Sequence, residues 1–479
     1  MRLNILIGGK AGQGINKVSE IVSELLVSQG YFTFNYRDYP SLIRGGHNFN
    51  ILSISDEKIG SHESKLDGII AMDEKTINIH KKDLKKGGFI ISFKEFEKDN
   101  LGRNLNIALS GALLKILGID KKIFTQQIEK EFGTKESISA AEKGYGFEEE
   151  KFKLKKLNNK ISVLNGNQGV AQGALNSGIN FYLAYPMTPA TGVMHELAAK
   201  QDKNFKVFQP ENEIAVANCG LGASFAGKKV MIGSSGGGYD LMTEALSFQG
   251  QSEIPLVVYL ASRPGPGTGV PTYTLQGDLD VALRAGHGEF PRIVIAPGDP
   301  TEAIEKTNEA FYIYEKFNCI SILLSDKHLA ESEFSNDKTT NKTILVKLNR
   351  KIPGKYIVKA NSYEHDKFGN TAENAEAIKL GSERRIKKYE DIKKECKKFE
   401  MIKIHGNKNS KNLIIGWGST KGAILDAIKD LDYKFLQVLY IKPLSDDIKK
   451  EIEKAKKVIL IENNLTGQLG RLIDRKSVV

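Results

Sequence analysis

Three times along the chain, short runs of apolar and β-branched residues alternate with segments whose apolar positions recur every three to four residues. No other feature constrains the fold as tightly, because strands separated by helical patterns build parallel sheets with helices on their faces. In the first block, LNILI (3–7) reads as a strand and GGKAGQG (8–14) as a glycine loop. Ile15, Val18, Ile21, Val22, Leu25 and Leu26 then mark one face of a helix. Further strands are expected at 31–36, 49–54, 68–72 and 88–93. The second block is the most regular, with strands at 181–186, 206–209, 229–234, 255–261, 292–296 and 319–324. Helical patterns at 190–200, 211–226, 238–249 and 299–316 separate most of them. The third block offers strands at 412–418, 435–441 and 457–463, with helices from Lys421 and over 445–455.

The expected fold class is α/β: three consecutive α/β domains with mainly parallel sheets, at 1–150, 160–330 and 409–479. Residues 134–160 lose apolar periodicity and mark a boundary, and 331–408 read as a charged connector with an exposed helix over 382–400. The last domain reaches Val479 with little room for closing elements, so either the sequence is a fragment or the domain is a short one.

Composition narrows the class of function. Of 479 residues, 40% are hydrophobic and 27% charged, ordinary for a globular protein with sizeable cores. No apolar run approaches the ~18 residues of a membrane span. The start does not resemble a signal peptide, so the cytoplasm is the expected compartment. Cys219, Cys319 and Cys396 are too scattered for a metal clip or a disulfide framework, and a cluster needing four thiolates is not expected on this chain. The formal charge of +11 sits largely in lysine-rich solvated stretches, and no aromatic-interleaved basic stripe argues for nucleic acid.

Chemistry concentrates where strands end. The glycines of GGKAGQG fall at 8, 9, 12 and 14, which is not a dinucleotide fingerprint but can aim N–H groups at an anion. Thr188 lies between Pro186 and Pro189 after the strand at 181, on a loop stiffened on both sides. It, or Thr191, either caps the following helix or presents a hydroxyl to a ligand. Glu211 and Glu213 open a helix, where one acid is explained by the helix dipole. Gly233-Ser-Ser-Gly236-Gly237-Gly238 is a strand–glycine–helix junction too costly in backbone entropy for a cap alone. Arg263 begins a loop of prolines and glycines, and its planar fork suits a carboxylate or phosphate. These junctions all fall at the strand ends where ligands bind in open α/β sheets.

In their order, these motifs resemble the fused gamma–alpha subunit of the 2-oxoacid:ferredoxin oxidoreductases over nearly the whole chain. GGKAGQG and PSLIRGGHN, which includes Arg44 and His47, resemble the gamma domain. AYPMTPAT is similar to the family's YPITPSS, QPENEIAV to its acidic helix start, and SRPGPGTGVPT to its arginine-containing loop. GHGEFPRIVIAPGDP continues the pattern, and IENNLTGQLGRLI resembles the transketolase C-terminal-like domain. Residues 1–150, 160–330 and 409–479 then correspond to a gamma-type, a pyrimidine-binding and a transketolase C-terminal-like domain. Where the family has GGPSTG this chain has Pro264-Gly-Pro-Gly-Thr-Gly, a change in the residues that set the loop's path beside Arg263.

The resemblance implies a thiamine diphosphate enzyme that decarboxylates a 2-oxoacid, forms an acyl-CoA and passes electrons to ferredoxin. Glu213 aligns with the glutamate that bonds the aminopyrimidine ring, and Glu211 then becomes a capping or exposed acid. Thr188 and Arg263 match residues that hold the substrate carboxylate. By the same resemblance Tyr185, Pro186, Gly236, Gly237 and Gly238 are expected to line the cofactor. No GDG with a following asparagine occurs, and Gly277-Asp278-Leu279 and Gly298-Asp299-Pro300 do not fit one. The diphosphate half with its Mg2+, and the [4Fe-4S] cluster, are therefore expected on a beta subunit, giving a hetero-oligomer. A related indolepyruvate or branched-chain 2-oxoacid enzyme is an alternative, as is a non-catalytic CoA- or nucleotide-binding regulatory subunit.

Overall fold

Strands buried on both faces need almost unbroken apolar side chains, and the run Leu256–Ser262 is buried at every position. It lies at the centre of the second of three sheets in the computed structural model, which describes residues 1–40, 45–337 and 340–477. The strands, in chain order, are β1 (Arg2–Ala11), β2 (Phe32–Asp38), β3 (Gly45–Ser55), β4 (Leu66–Ala71), β5 (Leu84–Ser92) and β6 (Ser162–Asn165). Next come β7 (Phe181–Ala184), β8 (Lys206–Phe208), β9 (Val230–Ser234), β10 (Leu256–Ser262), β11 (Arg292–Ile295), β12 (Ile320–Asp326) and β13 (Glu333–Asn336). The last are β14 (Ile402–Gly406), β15 (Asn412–Trp417), β16 (Lys434–Val438), β17 (Tyr440–Lys442) and β18 (Lys457–Ile461). Two compact units result, residues 1–164 with 332–338 and residues 165–331 with 339–479.

The first unit carries a seven-stranded sheet ordered β5-β4-β1-β3-β2-β13-β6. It is mixed: β1, β4 and β5 run parallel, whereas β3 is antiparallel to both β1 and β2. Part of GGKAGQG, expected as a loop, continues the strand to Ala11, because the ladder with β3 extends to Gly8↔Phe49, Gly9↔Asn48 and Ala11↔Gly45. Only the turn up to Gly14, the left-handed N-cap of the helix Ile15–Ser28, remains as loop. Within the stretch without apolar periodicity, Lys135–Phe147 is a helix. It buries Ser137, Ala140, Ala141 and Gly144 rather than large side chains, and a Cβ on Gly144 would lie 2.0 Å from the Ala108 carbonyl. So close a helix–helix approach leaves no hydrophobic signature in the sequence.

In the second unit, β7 to β12 are all parallel in the order β11-β12-β10-β9-β7-β8, with β17 antiparallel at the β11 edge. The third sheet, β14-β16-β15-β18, packs its core residues with those of the second. The single strand expected at 435–441 is divided between the two sheets, since β16 pairs with β15 while β17 crosses to β11. Helical residues expected over 238–249 form two helices, Gly236–Leu241 and Thr243–Ser252.

A buried ionic cluster locks the third sheet to the second. Lys421 Nζ lies 2.5 Å from both Asp299 Oδ2 and Glu302 Oε1, and Lys403 Nζ lies 3.2 Å from Glu302 Oε1. Glu302 Oε2 accepts from the Gly298 N–H and from Gln437 Nε2. Burial alone would raise the Glu302 carboxyl, but the charges of Lys421 and Lys403 outweigh it and hold it well below the usual carboxylate range. Among the described residues no helix is long and apolar enough to cross a membrane.

Candidate active site

All six parallel strands of the second sheet end on one edge. From β7 the chain goes outward to β8 and then returns on the other side of β7 to form β9. The connections leaving β7 and β9 therefore diverge, and a crevice opens between them at the strand ends. The Thr188 loop follows β7, the 233–238 glycine junction follows β9, the Arg263 loop follows β10, and Glu213 opens the helix after β8.

Thr188 does not cap a helix. The helix Thr191–Ala198 has Ala190 at its N-cap and no side-chain capping bond, so neither Thr188 nor Thr191 serves there. Arg263 Nη1 instead donates to the Thr188 carbonyl at 2.8 Å, joining the two loops across the crevice. Tyr185 is exposed beside Pro186 on the approach to it.

The two acids of the helix start separate cleanly. Asn212 is the N-cap and accepts from the Ala215 N–H at 2.9 Å, Glu211 is exposed, and Glu213 is only 3% exposed. Glu213 Oε1 is buried without a hydrogen-bond partner. A buried carboxylate oxygen without a donor is costly, and a ring N–H or protonated ring nitrogen of a ligand would satisfy it. Gly238 packs against it, and a Cβ there would lie 2.5 Å from Oε1 and 2.8 Å from Cγ of Glu213. Two residues earlier, a Cβ on Gly236 would lie 2.6 Å from both oxygens of Asp278. Gly236–Gly238 form the first turn of the short helix Gly236–Leu241, and two of these glycines exist to let carboxyl groups approach. Gly237 is exposed between them.

Asp278 is the residue that motif reasoning passed over. Its Oδ2 is buried without a partner. Burial pushes its carboxyl up and Asp240 adds to that, while the Ser262 hydroxyl and Arg263 pull it down. Burial likewise lowers the Arg263 guanidinium, and the charges of Asp278 and then Glu213 oppose that shift. The edge thus presents two buried carboxyls, each with an unsatisfied oxygen, and one arginine held against a proline-bounded loop. Such a constellation can hold an anionic substrate and exchange a proton with a heteroaromatic ligand.

The GGKAGQG segment and His47 belong to the first unit. Gln13 fills the turn there, accepting from the Lys10 N–H and donating to the Met72 carbonyl. His47 Nε2 lies 2.8 Å from His80 Nε2. Arg44 lies outside the described residues. Among the described residues no group of His, Cys, Asp or Glu side chains is arranged to hold a metal ion.

A family model described as "Pyruvate flavodoxin/ferredoxin oxidoreductase, thiamine diP-bdg" matches residues 172–400, and "Pyruvate ferredoxin/flavodoxin oxidoreductase" matches residues 4–103. The 2-oxoacid:ferredoxin oxidoreductase subunit alpha of Sulfolobus sp. is 29% identical, covering 99% of this chain and 92% of that protein. The 2-oxoglutarate synthase subunit KorA of Methanocaldococcus jannaschii is 31% identical over 66% of this chain and 92% of its own length. Among solved structures, a 2-oxoglutarate:ferredoxin oxidoreductase from Magnetococcus marinus, with 2-oxoglutarate, coenzyme A and succinyl-CoA bound, superposes with a TM-score of 0.88 at 26% identity. That match covers 99% of this chain and 94% of the other.

Proposed function

The chain belongs to the 2-oxoacid:ferredoxin oxidoreductases as an alpha subunit with a fused gamma-type region, and from that premise we propose how its residues serve the reaction. It is one subunit of a thiamine diphosphate-dependent oxidoreductase acting on 2-oxoacids. Glu213 is the acid that faces the aminopyrimidine ring, with Gly236, Gly237, Gly238, Tyr185 and Pro186 lining the cofactor. Thr188 and Arg263 receive the carboxylate of the 2-oxoacid. Residues 160–330 act as the pyrimidine-binding domain, 1–150 as the gamma-type domain, 409–479 as the transketolase C-terminal-like domain and 331–408 as the connector, which lends β13 to the first sheet and β14 to the third.

One observation carries this reading: the buried, unpartnered Oε1 of Glu213 at the switch point, against a glycine and beside the Arg263–Thr188 link. When bound, the cofactor supplies a nucleophilic carbon and then an electron sink for the decarboxylated substrate. The protein's own part is to hold a proton between Glu213 and the pyrimidine nitrogen, with burial excluding competing water. Arg263 fixes the substrate carboxylate by charge and by its fork, and the Thr188 hydroxyl adds a hydrogen bond from a loop that the prolines stiffen in advance.

The edge around the crevice also bears Tyr185, Phe208, Ile214, Leu241 and Val270, large apolar side chains between 39% and 53% exposed. An apolar rim around a polar site supports closure by a second subunit. That subunit is the beta chain, which brings the diphosphate motif, its Mg2+ and the [4Fe-4S] cluster, with ferredoxin as electron acceptor and CoA as acyl acceptor. The complex works in the cytoplasm.

Glu213→Gln keeps size and loses the shared proton, so exchange of the cofactor C2 proton in the assembled enzyme should slow by ~10²-fold or more. Glu211→Gln, altering an exposed acid, should change it little. Unchanged exchange in Glu213→Gln would remove that residue from the mechanism.

A further inference from the structure

The segment IENNLTGQLGRLI, at the end of β18 and into the helix Gln468–Ser477, has no part in the site described so far. Its first acid is an internal anchor. Glu462 Oε2 accepts from Trp417 Nε1 at 3.1 Å, from Asn464 Nδ2 at 2.8 Å and from the Leu469 N–H at 2.9 Å, while Oε1 accepts from the Gly470 N–H at 3.0 Å. The turn is therefore fixed to the third sheet before it touches anything else.

From that fixed turn, two sets of bonds reach back to the end of the arginine loop. Gln276, fully buried, donates from its backbone N–H to the Asn463 carbonyl at 2.7 Å and accepts the Asn463 N–H on Oε1 at 2.9 Å. Its Nε2 donates to the Trp417 carbonyl at 2.9 Å. Gln468 Oε1 accepts from the N–H groups of Leu279 and Asp280 at 3.1 and 3.3 Å, and its Nε2 donates to the Gly277 carbonyl at 2.8 Å. Residues 276–280 are thus held on both sides of Asp278, whose carboxyl rests on Gly236. Between Arg263 and this clamp the loop is exposed over 265–270, with Gly267 and Gly269 at positive φ, and the Val270 N–H donates to the Pro264 carbonyl at 3.0 Å, so the loop connects the clamp to Arg263 as a closed turn.

We infer that Gln468, Asn463 and Gln276 are positioning residues for the 2-oxoacid carboxylate: the turn after β18 sets where the Arg263 loop ends and so how far its guanidinium reaches. The inference rests on the reading that Arg263 receives that carboxylate. A supporting shell of this kind acts on the placement of a contact and leaves the identity of the contact unchanged.

The test compares Gln468→Met, Gln276→Glu and Arg263→Lys in the alpha subunit assembled with its beta partner. KM and kcat for 2-oxoacids, substrate-free C2 proton exchange and melting temperature are measured together. Gln468→Met keeps the bulk of the side chain and removes its polar atoms. It should raise KM by about tenfold, with kcat and C2 exchange within about twofold of the parent. Gln276→Glu keeps the acceptor for Asn463 and turns the donor to Trp417 into an acceptor, and should move KM in the same direction. If Arg263→Lys raises KM while both glutamine variants leave it unchanged, the clamp has no positioning role and the inference is overturned alone. If Arg263→Lys also leaves KM unchanged, the reading of Arg263 falls first. A parallel loss of kcat, C2 exchange and melting temperature in the glutamine variants would make the clamp a fold element only, and would overturn the inference as well.

Discussion

Replacing Gly238 by alanine asks whether the position of the Glu213 carboxyl matters to the chemistry. A Cβ there would sit 2.2 Å from Ser234 Oγ, 2.5 Å from Glu213 Oε1 and 2.8 Å from Glu213 Cγ, where ordinary contact begins at 3.4 Å. The serine hydroxyl can rotate away. Glu213 cannot yield so easily, because its Cγ is crowded too, and Oε1 must retreat by roughly 0.9 Å. Displacement of about 1 Å at a reacting group can cost ~10²-fold in rate, close to 2.7 kcal/mol of barrier. Stability should suffer less. Overpacking costs about 1–3 kcal/mol, while alanine recovers about 0.5–1 kcal/mol over glycine inside a helix. The assay is C2 proton exchange and steady-state turnover of the assembled enzyme, with melting temperature recorded on the same samples. Gly222→Ala is the control: it lies on the helix Glu213–Phe225 with nothing within 4 Å of its added Cβ, and should be slightly more stable and fully active. Gly238→Ala within about threefold of the parent rate would refute the claim that Glu213 must hold its place.

Thr188→Val should lower kcat/KM by roughly ten- to a hundredfold, the scale of one hydrogen bond to a charged group, with little change in melting temperature because the hydroxyl caps no helix. Arg263→Lys should also lose kcat/KM while leaving cofactor affinity intact, since an ammonium cannot reproduce the fork. Glu302→Gln leaves Lys421 and Lys403 without their shared carboxylate and should cost about 3–5 kcal/mol in denaturant unfolding. Because the folded carboxyl is held low, its contribution is complete above the ordinary value of about 4.3 and fades as pH falls through the folded value. The variant should therefore lose less stability than the parent across that acid range. The chain without its partner should reduce neither viologen dye nor ferredoxin in the presence of a 2-oxoacid, and adding the beta subunit should restore turnover.

Much of this protein was already present in the order of its residues. Strand and helix positions follow from periodicity, which registers locally whether each side chain faces a core. Strand ends announce themselves through glycine, proline and capping residues, so Thr188, Glu213, Gly236–Gly238 and Arg263 fall to one sheet edge on sequence grounds alone. Asn212 next to Glu213 even contains the reason that the second acid, and not Glu211, turns inward: the cap fixes the first turn, and Glu213 falls on its buried side. What the sequence could not supply is direction and distant company. Apolar alternation is the same for parallel and antiparallel strands, so the mixed order of the first sheet, the strand through GGKAGQG and the division of 435–441 between two sheets arise only when the ladders form. Close packing through Gly144 leaves no periodic trace, since what is buried there is backbone. The role of Asp278 and its clamp was not legible for a related reason. A glutamine gains its role from the groups it meets, and Gln468 meets Gly277, Leu279 and Asp280 across almost two hundred residues of chain. Hydrogen bonds are satisfied in space, and only the tertiary structure decides which distant donor each buried acceptor finds.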